Sequence, residues 1–423
     1  MQLESGPIET TAATPSHPEA VHPTDNWQPR FFLIWGGQAL SLIGSALTQF
    51  VLLWWITETT GSATALATAG VMALLPQALF GPLGGVLADR WSRRLIMIGA
   101  DTITALCMVV LIWLFATDNI QLWQIYTLMF IRSTMQAFQT PAATASTAML
   151  VPHSWLPRVA GLNQTLQGIM TIAAAPLGAL ALAFLPTQGA LLIDVVTALM
   201  GILPLFFLRI PQKLVISGPR PTLLADLWAG VRYVFAHRGI AMLLGLLGLM
   251  ILTIIPMFSL TPLLVKEHFR GGVNQVALME GLAGVGVILG GVLIGVWPIF
   301  SRRIVTVLVS FAISCFTVAL TALMPGNWLW LGIIWWFISG VTFSTGSAPM
   351  MAILQSIVPN EMQGRIFSLL NTVMGVAGPL GLALAGPLGE AIGVVGVFVV
   401  GGVLSALICL AGLLSPALMR IEG

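Results

Sequence analysis

Apolar residues gather into twelve runs of 20 to 31 residues, parted by short polar segments. A helix needs about 20 residues to cross the hydrocarbon core of a bilayer. The pattern therefore predicts membrane-spanning helices over 31–56, 63–88, 95–116, 121–150, 157–184 and 189–208, then 239–265, 275–298, 303–324, 327–357, 362–388 and 391–416. Continuous apolar runs exclude a transmembrane barrel, whose strands alternate over segments of about ten residues. The longest connection, 209–238, falls between the sixth run and the seventh. Within it Leu223, Leu224, Leu227, Val231 and Val234 share one helical face and Asp226, Arg232 and Arg238 lie largely elsewhere, the pattern of a surface amphipathic helix.

The expected organisation is an all-α membrane protein of 12 transmembrane helices in two six-helix bundles. Residues 1–30 form a tail, 31–208 the N-terminal bundle, 209–238 a linker, 239–416 the C-terminal bundle and 417–423 a short C-terminal tail. The N-terminal tail has five prolines, four acids and one arginine, so it reads as disordered rather than as a cleavable signal with its basic start.

Composition narrows the function. Apolar residues make up 57% of the 423 and charged residues 8%, against about a quarter in soluble domains, so the surface is meant for lipid. Seventeen Lys+Arg against 15 Asp+Glu leave +2, which excludes a basic nucleic-acid binder. Cys107, Cys315 and Cys409 sit apart in apolar runs without metal-ligand spacing. No Walker A motif is present, and His17, His22, His153, His237 and His268 fall in the tail, in loops or at run edges. The expectation is no enzyme and no cofactor. With the N-terminus inside, 14 of the 16 Lys/Arg outside Arg132 face the cytoplasm, leaving Lys266 and Arg270 outside. That asymmetry predicts a multi-pass protein of the cell (inner) membrane with both termini cytoplasmic. Trp54, Trp55, Trp113, Trp123, Trp328 and Trp330 then fall at the outer ends, where an interfacial belt is expected.

The halves repeat. Leu83-Gly84-Gly85-Val86-Leu87 recurs as Leu289-Gly290-Gly291-Val292-Leu293, and Ser92-Arg93-Arg94 as Ser301-Arg302-Arg303. Val151-Pro152, Leu162-Asn163 and Pro176-Leu177-Gly178 recur as Val358-Pro359, Leu370-Asn371 and Pro379-Leu380-Gly381. Offsets of 203 to 209 place each copy six runs on, so the bundles repeat in parallel and can rock about a path between them.

The stretch Gly81-Pro82-Leu83-Gly84-Gly85-Val86-Leu87-Ala88-Asp89-Arg90-Trp91-Ser92-Arg93-Arg94 resembles the signature between spans 2 and 3 of the major facilitator superfamily, with Ser92 in place of a glycine. Ile34-Trp35-Gly36-Gly37-Gln38-Ala39, Phe130-Ile131-Arg132-Ser133 and Ala137-Phe138-Gln139-Thr140-Pro141-Ala142 are similar to the macrolide-efflux type of drug:proton antiporter. The resemblance implies the major facilitator fold and proton-driven export of an amphipathic drug. A siderophore or lysophospholipid exporter, or a sensor or scaffold with no transport cycle, are the alternatives. It also implies a conformational latch of Gly85, Asp89, Arg90, Arg93 and Arg94, whose acid docks on the N-terminus of the eleventh span. There Asn360 and Gln363 are spaced as a capping pair. Pro176 and Pro379 resemble the kink positions of antiporter helices.

Arg132 is the one basic residue deep in a run, at a cost of roughly 2.5–3.5 kcal/mol on insertion scales. Arg132, Gln136 and Gln139 follow i, i+4, i+7, and Asn163, Gln164 and Gln167 form a second polar cluster. Gln38, Gln49, Gln136, Gln139, Asn163, Gln167 and Asn371 are the candidate lining of a substrate cavity. Glutamines on facing helices also serve as plain hydrogen-bonding glue. Asp101, Asp194 and Glu280 are the intramembrane acids, the group from which a proton carrier must come. Asp194 matches Arg132 in depth and is its expected partner; Glu280 sits near the outer end of its run. Asp101, near the basic loop, is expected to pair with Arg93 or Arg94. The expected partners of the whole are the bilayer, protons and a small amphipathic substrate, with no nucleic acid, for a monomer.

Overall fold

A computed structural model describes residues 27–208, 223–297 and 302–422. The helices are α1 Trp27–Thr60, α2 Ala63–Arg90, α3 Arg93–Ala116, α4 Leu122–Leu150, α5 Leu156–Phe184, α6 Thr187–Phe207, α7 Leu223–Ala236, α8 Arg238–Leu263, α9 Val273–Val296, α10 Arg303–Leu323, α11 Leu329–Ile357, α12 Asn360–Leu413 and α13 Pro416–Met419. Every expected span falls on a helix. Ten helices among the described residues are long and apolar enough to cross a membrane. The 29-residue α4 is long enough but carries Gln124, Arg132, Gln136 and Gln139. The 54 residues of α12 would extend about 80 Å if straight, far beyond a hydrocarbon core of about 30 Å. The helix instead turns back at Gly393, whose φ of 75° suits glycine alone. Gly381 before the turn and Gly401 after it both pack against the Leu252–Thr253 level of α8.

Local chemistry sets the other ends. Gly61, with φ of 58°, makes the two-residue link from α1 to α2, and Ser62 caps α2 by accepting from the Ala65 N–H at 3.2 Å. Leu106, Leu199, Phe207, Val292 and Leu404 are exposed while Gln38, Arg132 and Asp194 are buried, the reverse of a soluble protein.

Two expectations change. The first helix starts at Trp27, not at 31, because the Trp27 indole packs edge-on against Trp155 at 4.8 Å. The rest of the N-terminal tail, residues 1–26, lies outside the described residues, as do linker residues 209–222, Ser301 and the Asn360 side chain. Trp54 is buried and Trp55 packs on Phe115, so only Trp113, Trp123, Trp328 and Trp330 are exposed as a belt requires. The expected Asn360–Gln363 pair involves a side chain outside the described residues; Gln363 Nε2 also donates to the carbonyls of Gln355 and Val358, at 3.0 and 3.2 Å, and so ties α12 to the end of α11.

The sequence repeat is a packing repeat. A Cβ at Gly84 of α2 would overlap the carbonyl oxygen of Ala137 on α4, and one at Gly290 of α9 the carbonyl oxygen of Val341 on α11. Gly178 of α5 lies against Leu47 and Phe50 of α1, as Gly381 of α12 lies against Leu252 of α8. Helices in lipid are held by close packing rather than by a hydrophobic difference between core and surroundings, which favours a glycine wherever two backbones meet.

The halves touch along α2 with the first arm of α12, and along α5 with α9. Ala63 meets Gly389, Thr64 and Ala67 meet Gly386, Gly70 meets Leu382, and Ala78 meets Gly375. On the other side Ile172 meets Gly284 and Pro176 meets Gly281. Continued in this register for eleven residues, Asp89 would stand opposite Gly364. Among the described residues Gly81, Gly85 and Gly364 instead have no neighbouring atom within 4 Å of a Cβ position, so the helices diverge there. Among those residues this state is closed at the end bearing the α1–α2 link and parted at the end bearing Trp27 and Arg420.

Candidate functional site

A cavity of about 390 Å³ opens among α1, α2, α3 and α4, with Ser259 of α8 reaching it from the second half. Its polar lining includes Ser45, Gln49, Gln77, Asp101, Arg132, Ser133, Gln136 and Gln139. These residues form two tiers along α1.

In the tier nearer the closed end, Arg132 Nη2 donates to Asp194 Oδ2 at 2.8 Å. Asp194 also accepts from Ser45 Oγ at 2.8 Å and Thr48 Oγ1 at 3.1 Å. Asp194 is 1% exposed and Arg132 8%. Arg132 Nε and Nη1 have no acceptor among the described residues. In the other tier Gln139 Nε2 donates to Gln38 Oε1, and Gln38 Nε2 donates to Asp101 Oδ2 at 2.9 Å and to the Gly201 carbonyl at 3.1 Å. Arg132 and Gln139 are seven residues apart, as are Asp194 and Gly201, so the tiers are about 10 Å apart at 1.5 Å per residue.

The expected lining is split. Gln49, Gln136 and Gln139 are on the cavity and Gln38 stands behind Asp101. Asn163 Oδ1 is taken by the Trp35 indole N–H at 2.8 Å, and Gln167 and Asn371 are exposed and outside this cavity. Glu280 is half-buried on α9, outside the cavity, with no hydrogen-bond partner among the described residues. Helices α5 and α12 run through Pro176 and Pro379. Sequence reading passes over Ser45, Thr48, Gln77 and Ser133, since a hydroxyl or amide on an apolar helix gives no signal until the facing helix is known.

The pairing of Asp101 with Arg93 or Arg94 is not what the structure has. Arg94 caps the C-terminus of α6, donating to the carbonyls of Leu205 and Phe206. Arg93 donates to the Ala88 and Ala145 carbonyls at 3.0 and 3.2 Å, and its Nη2 lies 3.4 Å from Asp89. Both arginines lie in the first turn of α3, two turns before Asp101, and carbonyls within their reach meet their hydrogen-bonding needs. Asp89 and Arg90 are exposed at the parted end.

The closed end has a fastening of its own. Lys266, in the π-helical turn Leu264–His268 after α8, donates from Nζ to the carbonyls of Thr57 and Glu58, each at 2.9 Å. A cation thus caps the C-terminus of α1 from the other half, an interaction of about 0.3–2 kcal/mol. Ser62 Oγ donates to Glu390 Oε1 at 3.3 Å beside it. Replacing Lys266 by Met is expected to move the population toward molecules parted at this end, by between about twofold and thirtyfold. Disulfide trapping between cysteines placed at Ser62 and Glu390 reads that shift; equal trapping with and without Lys266 would show that the lysine does not hold the end closed.

The Major Facilitator Superfamily model matches residues 34–297 and 255–420. The chain is 33% identical over 392 residues to macrolide efflux protein A of Streptococcus pyogenes, covering 92% of this chain and 95% of that protein. It is 31% identical over 327 residues to macrolide efflux protein A of Enterococcus faecalis, covering 76% of this chain and all of that protein. Among solved structures, nucleoside transporter NupG aligns with a TM-score of 0.71 at 14% identity, over 92% of this chain and 98% of that one. A bacterial homolog of the human lysosomal transporter Spinster aligns with a TM-score of 0.67 at 16% identity, over 95% and 99% of the two chains.

Proposed function

The chain belongs to the major facilitator superfamily, in its macrolide-efflux group, and on that premise we propose that it exports amphipathic, macrolide-like drugs in exchange for protons. The observation that carries this reading is the charged cavity. A buried arginine–aspartate pair and a second buried acid line or back a space of about 390 Å³ against the facing half, as a proton-coupled binding site requires. The drug class comes from the two macrolide efflux relatives. The basic-residue asymmetry supports cytoplasmic termini in the cell membrane, for a monomer that needs no cofactor. The parted end then faces the cytoplasm, where a drug enters.

In the cycle, drug binding and proton release at the open end let the halves rock. Asp89 approaches the start of α12 as the cytoplasmic end closes, and Lys266 leaves the α1 C-terminus as the outer end opens. Each fastening holds one state, so neither end needs to open while the other is open. A protonophore should abolish macrolide efflux from cells whose ATP is held constant. Efflux that survives and follows a sodium gradient would refute proton coupling, and a siderophore or lysophospholipid exported in place of every drug tested would refute the cargo.

A further inference from the structure

Two acids and one base line or back the cavity, Asp101 and Arg132 on it and Asp194 behind, and the base serves only one of the acids. Arg132 is committed to Asp194 at 2.8 Å, where Ser45 and Thr48 complete the carboxylate's shell. Asp101 lies about 10 Å away in the other tier and is 8% exposed. Its one donor among the described residues is the uncharged Gln38 amide, which Gln139 and the Gly201 carbonyl hold from turning. The charged groups on the elements around it are otherwise engaged or distant. On α3 itself Arg93 and Arg94 bind carbonyls. On α4 and α6 the charges are Arg132 and Asp194, which pair with each other. On α2 Asp89 and Arg90 are at the exposed end, and on α1 Arg30 is in the first turn, eight residues before Gln38, and Glu58 at the far end.

A buried carboxylate without a cation is costly, so such a group holds a proton or takes a cation from outside. We propose that Asp101 is the acid at which the proton and a cationic amine of the substrate replace one another. The tier of Arg132 points to a ligand independently: Arg132, nine-tenths buried on the same cavity, has Nε and Nη1 without acceptors among the described residues. The substrate class is therefore a monocationic amine that also carries hydrogen-bond acceptor oxygens about a nanometre from the nitrogen. The ammonium meets Asp101 and an oxygen meets Arg132.

The exchange balances. With the site open to the cytoplasm, the carboxylic acid gives its proton to water and the ammonium donates to the resulting carboxylate. With the site open outside, a proton from water returns to the carboxylate and the ammonium leaves. One monocation moves out for one proton in, with no net charge moved. Asp194 takes no part, since its proton uptake would strand Arg132.

This assignment rests on the export reading, and its test separates the two. Purified full-length protein in weakly buffered detergent is titrated with a macrolide bearing its tertiary amine, and with the same macrolide N-demethylated and N-acetylated to an uncharged amide. A pH indicator follows proton release. Wild type is expected to release one proton per amine bound and none with the amide. Asp101→Asn, which keeps the Gln38 contact, should release none and bind the amine about 10- to 100-fold more weakly, while binding the amide as wild type does. Asp101→Ser serves if the Asn variant does not fold. Amine binding without proton release in wild type, or release that persists in either variant, overturns the assignment and leaves drug export standing. If neither macrolide binds, the macrolide cargo falls, and ethidium, a permanent cation, replaces them. Proton release by ethidium that needs Asp101 sustains the assignment, and its absence overturns it.

Discussion

Replacing Asp194 by Ala is expected to damage the protein more than replacing Arg132 by Ala, and the double variant less than the sum of the two. The pair is 2.8 Å apart with exposures of 1% and 8%, so each charge depends on the other for its place among apolar helices. Stranding one member of a buried pair costs about 3–5 kcal/mol, which is a large part of the stability of a typical domain. The asymmetry comes from the neighbours. Without Arg132, Asp194 keeps the hydroxyls of Ser45 and Thr48, and protonation can remove its charge. Without Asp194, Arg132 keeps only a 3.4 Å contact to Thr48, and a guanidinium cannot shed its proton. The measurement is the amount of folded protein in detergent extracts and its thermal midpoint for wild type, both single variants and the double. Strict additivity around that cycle would mean that the two charges do not stabilise each other.

That pair could be read from the chain because depth alone selects it. Arg132 is the one deep base, and among three acids Asp194 lies nearest its level when residues are counted from the span ends. The spans were legible for a similar reason, as length and continuous apolarity fix them without knowledge of the neighbours. What depends on how one helix is rotated against another was not legible. Gln38 meets Asp101 because α1, α3 and α6 converge at Gly201, and no spacing within α1 or α3 encodes that meeting. Arg93 and Arg94 look like partners for a nearby acid, yet carbonyls at the ends of neighbouring helices reach them first. Lys266 counts in the sequence only as one of two outside basic residues, and its cap on α1 exists only once the halves are assembled. The runs put the break between the last two spans at 389–390, and only the backbone assigns the turn to Gly393.

Two adjacent glycines should separate folding from transport. Gly84→Val is expected to remove the protein from the membrane, whereas Gly85→Val should leave it folded and block efflux. At Gly84 a Cβ would overlap the carbonyl oxygen of Ala137, a backbone atom that cannot swing aside as a side-chain tip can. The cost belongs at the upper end of the roughly 1–3 kcal/mol that overpacking brings, or above it. Gly290→Val repeats the conflict against Val341 in the other half and should fail in the same way. At Gly85 the Cβ position is open in the state parted at the terminal end, so valine fits this state. Closing that end brings α2 toward the start of α12, and the added side chain then stands in the way of Asp89's approach. The expected signature for Gly85→Val is normal membrane abundance and drug binding from the cytoplasmic side, with efflux lost. Normal efflux by Gly85→Val at wild-type abundance would show that the two helices do not close over this glycine, and the latch would then need another contact.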